Sequence, residues 1–174
     1  MNTQIIMEDI IINKVAQSSI ETLDLEKFYP EGDNLAFDLK DYLFMELILK
    51  EKDYRESLKN VDWSIFENKN VCITCTADAI IPLWAYMLAV SYLQPVARDV
   101  VVGSKAFMHE VLFLKNLLKI DPAEYEGKRV VVKGCGEKAI PASAYAEITR
   151  ILRPVARSIM YGEPCSTVPV YKQR

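Results

Sequence analysis

The stretch QPVARDVVVG at residues 94–103 returns in altered form as RPVARSIMYG at residues 153–162, 59 positions later. The same offset holds without a gap from residues 58–103 to residues 117–162, with identical pairs such as Asp62 with Asp121 and Pro82 with Pro141. Chance seldom gives so many identities in an ungapped alignment of this length. We therefore interpret the two segments as an internal duplication, which requires that one local fold suits both copies.

Each copy has the pattern of a strand, a helix and a second strand. Short β-branched runs at residues 70–76 and 128–134 are typical of buried strands. Each run is followed by a segment of about thirteen residues that starts near a proline, as helices often do. The strand-like runs RDVVVG and RSIMYG come next. The pattern predicts one β-α-β unit in each copy.

The rest of the chain extends this alternation. Residues 104–121 predict an amphipathic helix whose buried stripe comprises positions 107, 108, 111, 114, 117 and 118. Residues 34–60 predict a strand and then a helix on which Glu51 and Arg55 pair at i,i+4. Residues 13–33 are expected to form a wrapping segment with a short helix or an edge strand.

Together these elements predict the fold class and the domain organisation. Strands that alternate with helices indicate an α/β fold with a mainly parallel sheet flanked by helices, built from two duplicated β-α-β units. A chain of 174 residues is expected to form a single domain, residues 1–174, that buries its core without disulfides.

Charge and hydropathy exclude several classes of protein. A formal net charge of −3 gives no basic footprint for nucleic acid. The N-terminal residues lack the pattern of a signal peptide, so we expect a cytoplasmic protein. Residues 79–97 carry no charge, but the helix within them is too short to span a membrane. We expect this helix to be buried or to form a subunit contact, and the protein to be a homodimer.

Cysteines occur where parallel strands should end, and ligands collect at the carboxyl ends of such strands. Cys75 follows the first repeat strand in one copy, and Cys135 follows it in the other, one position further along the alignment. Glycines on both sides of Cys135 would expose it, and a helix N-terminus would favour its thiolate. Cys165 follows the last repeat strand and has no counterpart in the first copy.

If the two loops face each other, these three thiols could share one site. Thiolates suit zinc, iron and iron–sulfur clusters. The equivalent residues Asp78 and Glu137 are predicted in the first turn of each helix, where they could cap the helix or act as further ligands. Glu163 is a third candidate for a further ligand. Plain burial of the cysteines remains the alternative.

Two further residues are interpreted as structural. Cys72 and Cys75 spell C-x-x-C, but strand positions three apart point to opposite faces, and Cys72 aligns with Val131. Cys72 is therefore predicted in the core. His109, the only histidine, lies among apolar residues of the connecting helix, which indicates packing and argues against a histidine-dependent triad.

Four motifs resemble one known family. LILKEKDYRESL, TCTADAIIPLWAYM, KGCGEKAIPASAY and GEPCSTVPVYK closely resemble the bacterial family catalogued as domain of unknown function 2480, over essentially the whole chain. The resemblance implies that cysteines at positions 75, 135 and 165 are shared within the family and that Cys72 often is not. It also implies genes beside those for sulfur mobilisation and iron–sulfur assembly. No activity comes with the resemblance.

Three functions are consistent with this sequence. The leading one is a cytoplasmic protein that binds a metal ion or iron–sulfur species through Cys75, Cys135 and Cys165, with Asp78, Glu137 or Glu163 in support. It would assist iron–sulfur cluster assembly, with assembly proteins as partners. The second is a thiol-dependent enzyme, such as one that accepts sulfur as a persulfide. The third is a structural, dimeric module with no active site.

Overall fold

The computed structural model of the chain describes residues 20–134, 136–163 and 165–174. The described strands are β1 Ile20–Asp24, β2 Asn34–Asp38, β3 Asn70–Thr74, β4 Asp99–Val102, β5 Arg129–Lys133, β6 Ser158–Glu163 and β7 Ser166–Lys172. The described α-helices are α1 Glu51–Lys59, α2 Leu83–Leu93, α3 Lys105–Leu117 and α4 Ala142–Leu152. The chain divides into two compact units, a central unit of residues 28–119 and a terminal unit of residues 1–27 and 120–174.

The central unit is built on a parallel sheet with the strand order β2-β3-β4. Residues Asn70–Ile73 of β3 are all buried because helices cover both faces. Val71 and Ile73 pack in one cluster with Ala85, Ala89 and Leu93 of α2. Cys72, which points to the opposite face, packs with Met108 and Leu112 of α3.

The terminal unit contains a sheet with the order β1-β5-β6-β7, in which the first three strands are parallel and β7 is antiparallel to β6. Val130, Val131 and Val132 of β5 are buried, as expected for a central strand. Helix α4 buries Ala144, Ile148 and Leu152, which recur at i,i+4 on one face.

The bounds of corresponding elements follow the offset of 59 residues. It relates β3 to β5, α2 to α4 and the 3₁₀ turn at Trp63–Phe66 to that at Pro122–Tyr125. Strand β4 likewise corresponds to the first four residues of β6. Each unit therefore contains a β-α-β segment with the same spacing.

The predicted α/β class is confirmed: the chain has mainly parallel sheets with helices packed on them, while the duplication of the β-α-β units stays a prediction. The strands form two sheets in the part of the chain that the structure describes, where the sequence had suggested one. The sequence also gave no indication of β7, because Pro164 and Pro169 interrupt its strand pattern. A single domain of residues 1–174 stays a prediction.

Two local expectations are confirmed, and one for helix α3 was partly wrong. Arg55 Nε lies 2.9 Å from Glu51 Oε1, which confirms the predicted i,i+4 pair, and β1 is the edge strand expected within residues 13–33. The buried stripe of α3 was partly wrong. Phe107 and Leu118 are 50% and 62% exposed, because the face that meets β3 is formed by Met108, Leu112 and neighbouring positions.

Helix α2 lies within residues 79–97, the stretch that carries no charged side chain. Its eleven residues cover about 16 Å. Across the ranges that the structure describes, no helix combines the length and the apolar character needed to cross a bilayer. Ala85, Ala89 and Leu93 are buried, but Leu83 and Met87 are largely exposed, so only one face of this helix is buried within the chain.

Candidate functional site

The carboxyl ends of β1, β5 and β6 bring polar side chains together in the terminal unit. Asp24, the last residue of β1, is level with Lys133, the last residue of β5. On β6, Tyr161 is level with Val132, so Glu163 lies two residues beyond that level. Adjacent strands are about 4.8 Å apart, so Asp24 and Glu163 lie on either side of Lys133.

Lys133 is surrounded by negative charge at this edge. Its Nζ lies 3.4 Å from Asp24 Oδ2. The hydrogen bond to Asp24 and the charges of Asp24, Glu163 and Glu26 raise the pKa of the Lys133 ammonium. Three carboxylates and one ammonium leave a formal charge of −2 among these four side chains. The edge is therefore an environment that favours cations.

Glu26 faces the loop after β5. Its Oε1 is buried and has no hydrogen-bond partner among the described residues. The carboxylate lies against Gly136, where any Cβ would collide with it. A buried carboxylate oxygen without a partner is destabilising unless a proton, a donor or a cation satisfies it. Glu26 thus has a polar oxygen without a partner among the described residues, against the glycine that follows Cys135 in the sequence.

A tyrosine supports the start of the same loop. The Tyr145 hydroxyl donates a hydrogen bond of 3.1 Å to the carbonyl oxygen of Gly134, and its ring packs edge-on against Tyr161 at 5.6 Å. A Cβ at Gly134 would lie 2.5 Å from the Tyr145 hydroxyl oxygen. Gly134 is therefore required by the close approach of Tyr145, a reason distinct from the predicted exposure of Cys135.

Cys165 lies in the tight connection between β6 and β7. Glu163 and Ser166, which flank this connection, are paired in the antiparallel register. The residue is exposed, and its thiol is free. The structure therefore places two predicted site residues, Glu163 and Cys165, in one hairpin at the carboxyl edge of β6. Cys135, another predicted site residue, lies outside the described residues.

The central unit has its own carboxyl edge, where Cys75 follows β3. Its thiol is half-buried and lies 3.5 Å from the carbonyl oxygen of Ala77, to which it donates. The neighbouring Thr76 hydrogen-bonds to Asp38 at the end of β2, through its hydroxyl at 2.6 Å and its backbone N–H at 3.1 Å. Cys75 is therefore held in a compact loop closed by a hydroxyl–carboxylate pair.

The carboxylates predicted in the first turns of the helices are not there. Helix α2 begins at Leu83 and α4 at Ala142, so Asp78 and Glu137 both lie in the preceding loops, where they are exposed. The expectation that they cap these helices was wrong, because Pro82 and Pro141 occupy the capping positions. The thiolate of Cys135, predicted to be favoured by a helix N-terminus, lies outside the described residues and stays a prediction.

The two residues interpreted as structural lie where the sequence placed them. Cys72 is fully buried, and burial raises the pKa of its thiol. His109 stacks obliquely on Tyr29 at 4.7 Å and approaches Phe113 at 6.2 Å. Both side chains contribute to packing in the central unit.

Among the described residues, no group of three or more histidine, cysteine, aspartate or glutamate side chains is arranged to hold a metal ion. The predicted ligands are distributed over both units: Cys75 and Asp78 in the central unit, Glu137, Glu163 and Cys165 in the terminal unit. A common site for the three cysteines stays a prediction.

Comparison with known families now gives one assignment. A family model described as "Protein of unknown function (DUF2480)" matches residues 9–173. The chain belongs to this family. The resemblance carried by the four motifs is thereby confirmed over nearly the whole chain, and both edges described above lie within the DUF2480 match. No curated protein and no solved structure matches the chain.

The sequence did not predict three residues at the carboxyl edge of the sheet in the terminal unit: Asp24, Glu26 and Lys133. One signal could have found Asp24. In each of the segments LDLEKFY and FDLKDYL, the aspartate is the last residue of a strand and the leucine after it begins a 3₁₀ turn. This similarity has a spacing of 14 residues, so an alignment at the 59-residue offset does not detect it.

Proposed function

We propose that this DUF2480 protein binds a metal ion or an iron–sulfur species through cysteine thiolates and assists iron–sulfur cluster assembly. Zinc, iron and iron–sulfur clusters all accept thiolate ligands together with carboxylates. Assembly proteins would be its partners, and the reducing cytoplasm would keep its thiols available.

The observation that carries the proposal is the buried Glu26 oxygen in the terminal unit, which has no hydrogen-bond partner among the described residues. It lies against Gly136, the residue that follows the predicted thiolate ligand Cys135 in the sequence. The hairpin with Glu163 and Cys165 ends at the same edge of the sheet, where the net charge of the acidic groups and Lys133 is negative. A cation bound there would satisfy Glu26 and balance this charge. In this proposal Cys135 and Cys165 are ligands, and Glu163 and Glu26 are ligands or orient them.

Cys75 is the third proposed ligand, with Asp78 and Glu137 as candidates for additional contacts. Its thiol already donates to the Ala77 carbonyl, so metal binding would exchange that weak hydrogen bond for coordination. Single cysteine substitutions distinguish between two possible sets of metal ligands. A site confined to the terminal unit needs Cys135 and Cys165, whereas a shared site needs Cys75 as well.

The test is metal analysis of protein purified without air. We expect about one metal equivalent, or one cluster, per chain. Cys135→Ser and Cys165→Ser should lose it, and Cys75→Ser reports whether the site is shared. The matched control is Cys72→Val, which introduces the residue found at the corresponding position of the second copy. Less than about a tenth of an equivalent in the parent protein, with no change in Cys135→Ser, would refute the proposal.

A second candidate function rests on the exposure of Cys165. An exposed thiol in a hairpin could attack a persulfide, taking its terminal sulfur to form Cys165–S–SH while the donor leaves as a thiolate. This requires one or two reactive cysteines and no metal. Timed alkylation should then label Cys165 or Cys135 much faster than Cys75, and Cys72 slowest because burial raises its pKa. Equal, slow labelling of all four would contradict it.

We also propose that the two units descend from a duplicated β-α-β segment. Support comes from the constant offset of 59 residues between both bounds of three pairs of elements and between the first residues of β4 and β6. The similarity extends to the strands that precede the repeat. Asp24 of β1 is level with Lys133, and Asp38 of β2 is level with Thr74, the residue 59 positions before Lys133.

A further inference from the structure

Six of the large apolar side chains that the central unit exposes belong to two neighbouring segments and to no site described above. They are Met45, Leu47, Ile48, Ile80, Leu83 and Met87, and we call them the apolar surface. Each is more than half exposed, and the values reach 94% for Ile80 and 80% for Leu83. Single exposed apolar residues are common in proteins, but a group of this size usually marks an interaction site.

These side chains are neighbours. A groove of about 400 Å³ is lined by Leu47, Ile48 and Leu49 on one side and by Ala79, Ile80 and Pro82 on the other. Leu83 and Met87 follow directly on α2 and lie one above the other at i,i+4. A groove and an apolar ridge therefore lie side by side on one surface.

The fold does not require this apolar character. Helix α4 has the same length and spacing as α2, and its positions 142 and 146 correspond to Leu83 and Met87. Both are alanine, and both are exposed. The next exposed positions of α4 are Arg150 and Arg153, where α2 has Ser91 and Gln94. At these two equivalent positions, large exposed apolar residues therefore occur on α2 and not on α4.

We propose that the apolar surface is the contact between two copies of this chain, related by a two-fold axis. In such an isologous contact, the same surface must be complementary to itself. The ridge of Leu83 and Met87 on each copy would fill the groove of the other. Because the corresponding face of α4 lacks the ridge, the contact closes as a dimer and does not continue into a filament.

The size of the surface fits a dimer. With a fully exposed Leu, Ile or Met side chain presenting on the order of 100 Å² of apolar area, the six side chains offer roughly 450 Å². A standard interface takes about 800 Å² from each partner, and roughly two-thirds of it is apolar in homodimers. The apolar surface thus supplies most of the apolar area that one subunit contributes.

Charges at the border favour a second copy over a partner of opposite net charge. Asp78 lines the groove and is negative. Lys50 Nζ lies 3.2 Å from the centroid of the Phe44 ring, next to Met45, and is positive. A border with both signs can pair with itself across a two-fold axis, whereas a surface selected for a charged partner would carry a single sign.

The test is the mass of the full chain in solution, measured by light scattering and by sedimentation over a range of concentrations. The parent protein should have about twice the chain mass of 19.8 kDa. Met87→Glu places two like charges at the contact and should weaken the dimer at least about 100-fold. Met87→Lys should do the same, which shows that the sign of the charge is not the cause.

The matched control is Ala146→Glu, the equivalent substitution on α4, which should leave the dimer intact. Both positions are exposed, so circular dichroism and the urea midpoint of all three variants should match those of the parent. A monomeric parent at about 100 µM, a dimer that survives Met87→Glu, or a dimer that only Ala146→Glu breaks would each overturn the proposal. Capture of a different protein by a monomeric parent would indicate a heterologous partner and would also overturn it.

Discussion

Thr76 closes the carboxyl edge of the central sheet by donating two hydrogen bonds to Asp38, one from its hydroxyl at 2.6 Å and one from its backbone N–H at 3.1 Å. Burial opposes ionisation of Asp38, but the bonds from Thr76 and from the backbone of Lys40 outweigh it and lower the pKa of the carboxyl. In the aligned sequence, the residue that corresponds to Thr76 is Cys135. At this position the central unit therefore has a hydroxyl group, and the sequence of the terminal unit has a thiol.

Removing the Thr76 hydroxyl should destabilise the protein at neutral pH and much less in acid. A carboxyl whose folded pKa is lowered stabilises the fold above its unfolded pKa of about 3.9, and this stabilisation is lost as the pH falls through the folded pKa. Thr76→Val should therefore lower the free energy of unfolding by about 1 kcal/mol at pH 7. Urea titrations at pH 7 and near pH 3 measure the difference, with Thr76→Ser as the control. A penalty that is equal at both pH values would contradict this account.

The contact between Gly134 and Tyr145 should appear as coupling between two substitutions. Gly134→Ala forces its Cβ against the Tyr145 hydroxyl and should lower stability by about 1–2 kcal/mol. Tyr145→Phe removes the opposing oxygen, so the double variant should be more stable than the sum of the single effects predicts. A double-mutant cycle from urea denaturation measures the coupling. Strict additivity would show that the two residues do not meet as described.

Gly136→Ala should displace the Glu26 carboxylate without unfolding the protein. Only the end of a flexible side chain has to move, so we expect a loss of stability below about 1 kcal/mol. If Glu26 supports a bound metal, affinity should fall by about 10–100-fold. In a Glu26→Ala background the same glycine substitution should have no further effect on metal affinity. An undiminished effect there would assign the loss to the loop itself.

Cys72 should tolerate an apolar residue and reject a polar one. Cys72→Val matches the residue in the second copy and keeps a similar volume, so the change in stability should stay below about 1 kcal/mol. Cys72→Ser buries a hydroxyl beside Met108 and Leu112 and should lower stability by about 2 kcal/mol. Thermal and urea denaturation compare the two variants. If serine were as stable as valine, the buried position assigned to Cys72 would be wrong.

The α/β class and the alternation of strands and helices could be predicted because strand periodicity, glycines and prolines are local signals. The bounds of α2 and α4 were predicted to within a residue or two, since Pro82 and Pro141 precede them. The cluster around Lys133 could not be predicted, because it depends on the register of β1 against β5, a pairing of residues more than 100 positions apart. Which face of α2 is exposed could not be predicted from the sequence either. Composition shows that a helix is apolar, but only packing shows which side stays uncovered.

Strand β7 limits the ways in which this protein can associate. It forms one edge of the terminal sheet, and its pairing with β6 shifts register between Ile159 and Met160, near Pro169. A proline and an irregular register on an outer strand hinder the docking of a foreign strand. Val168 and Val170, on either side of that proline, are exposed and would otherwise favour the stacking of β7 strands from many chains into fibrils. The hairpin that contains Cys165 should therefore also hinder amyloid-like aggregation of the protein.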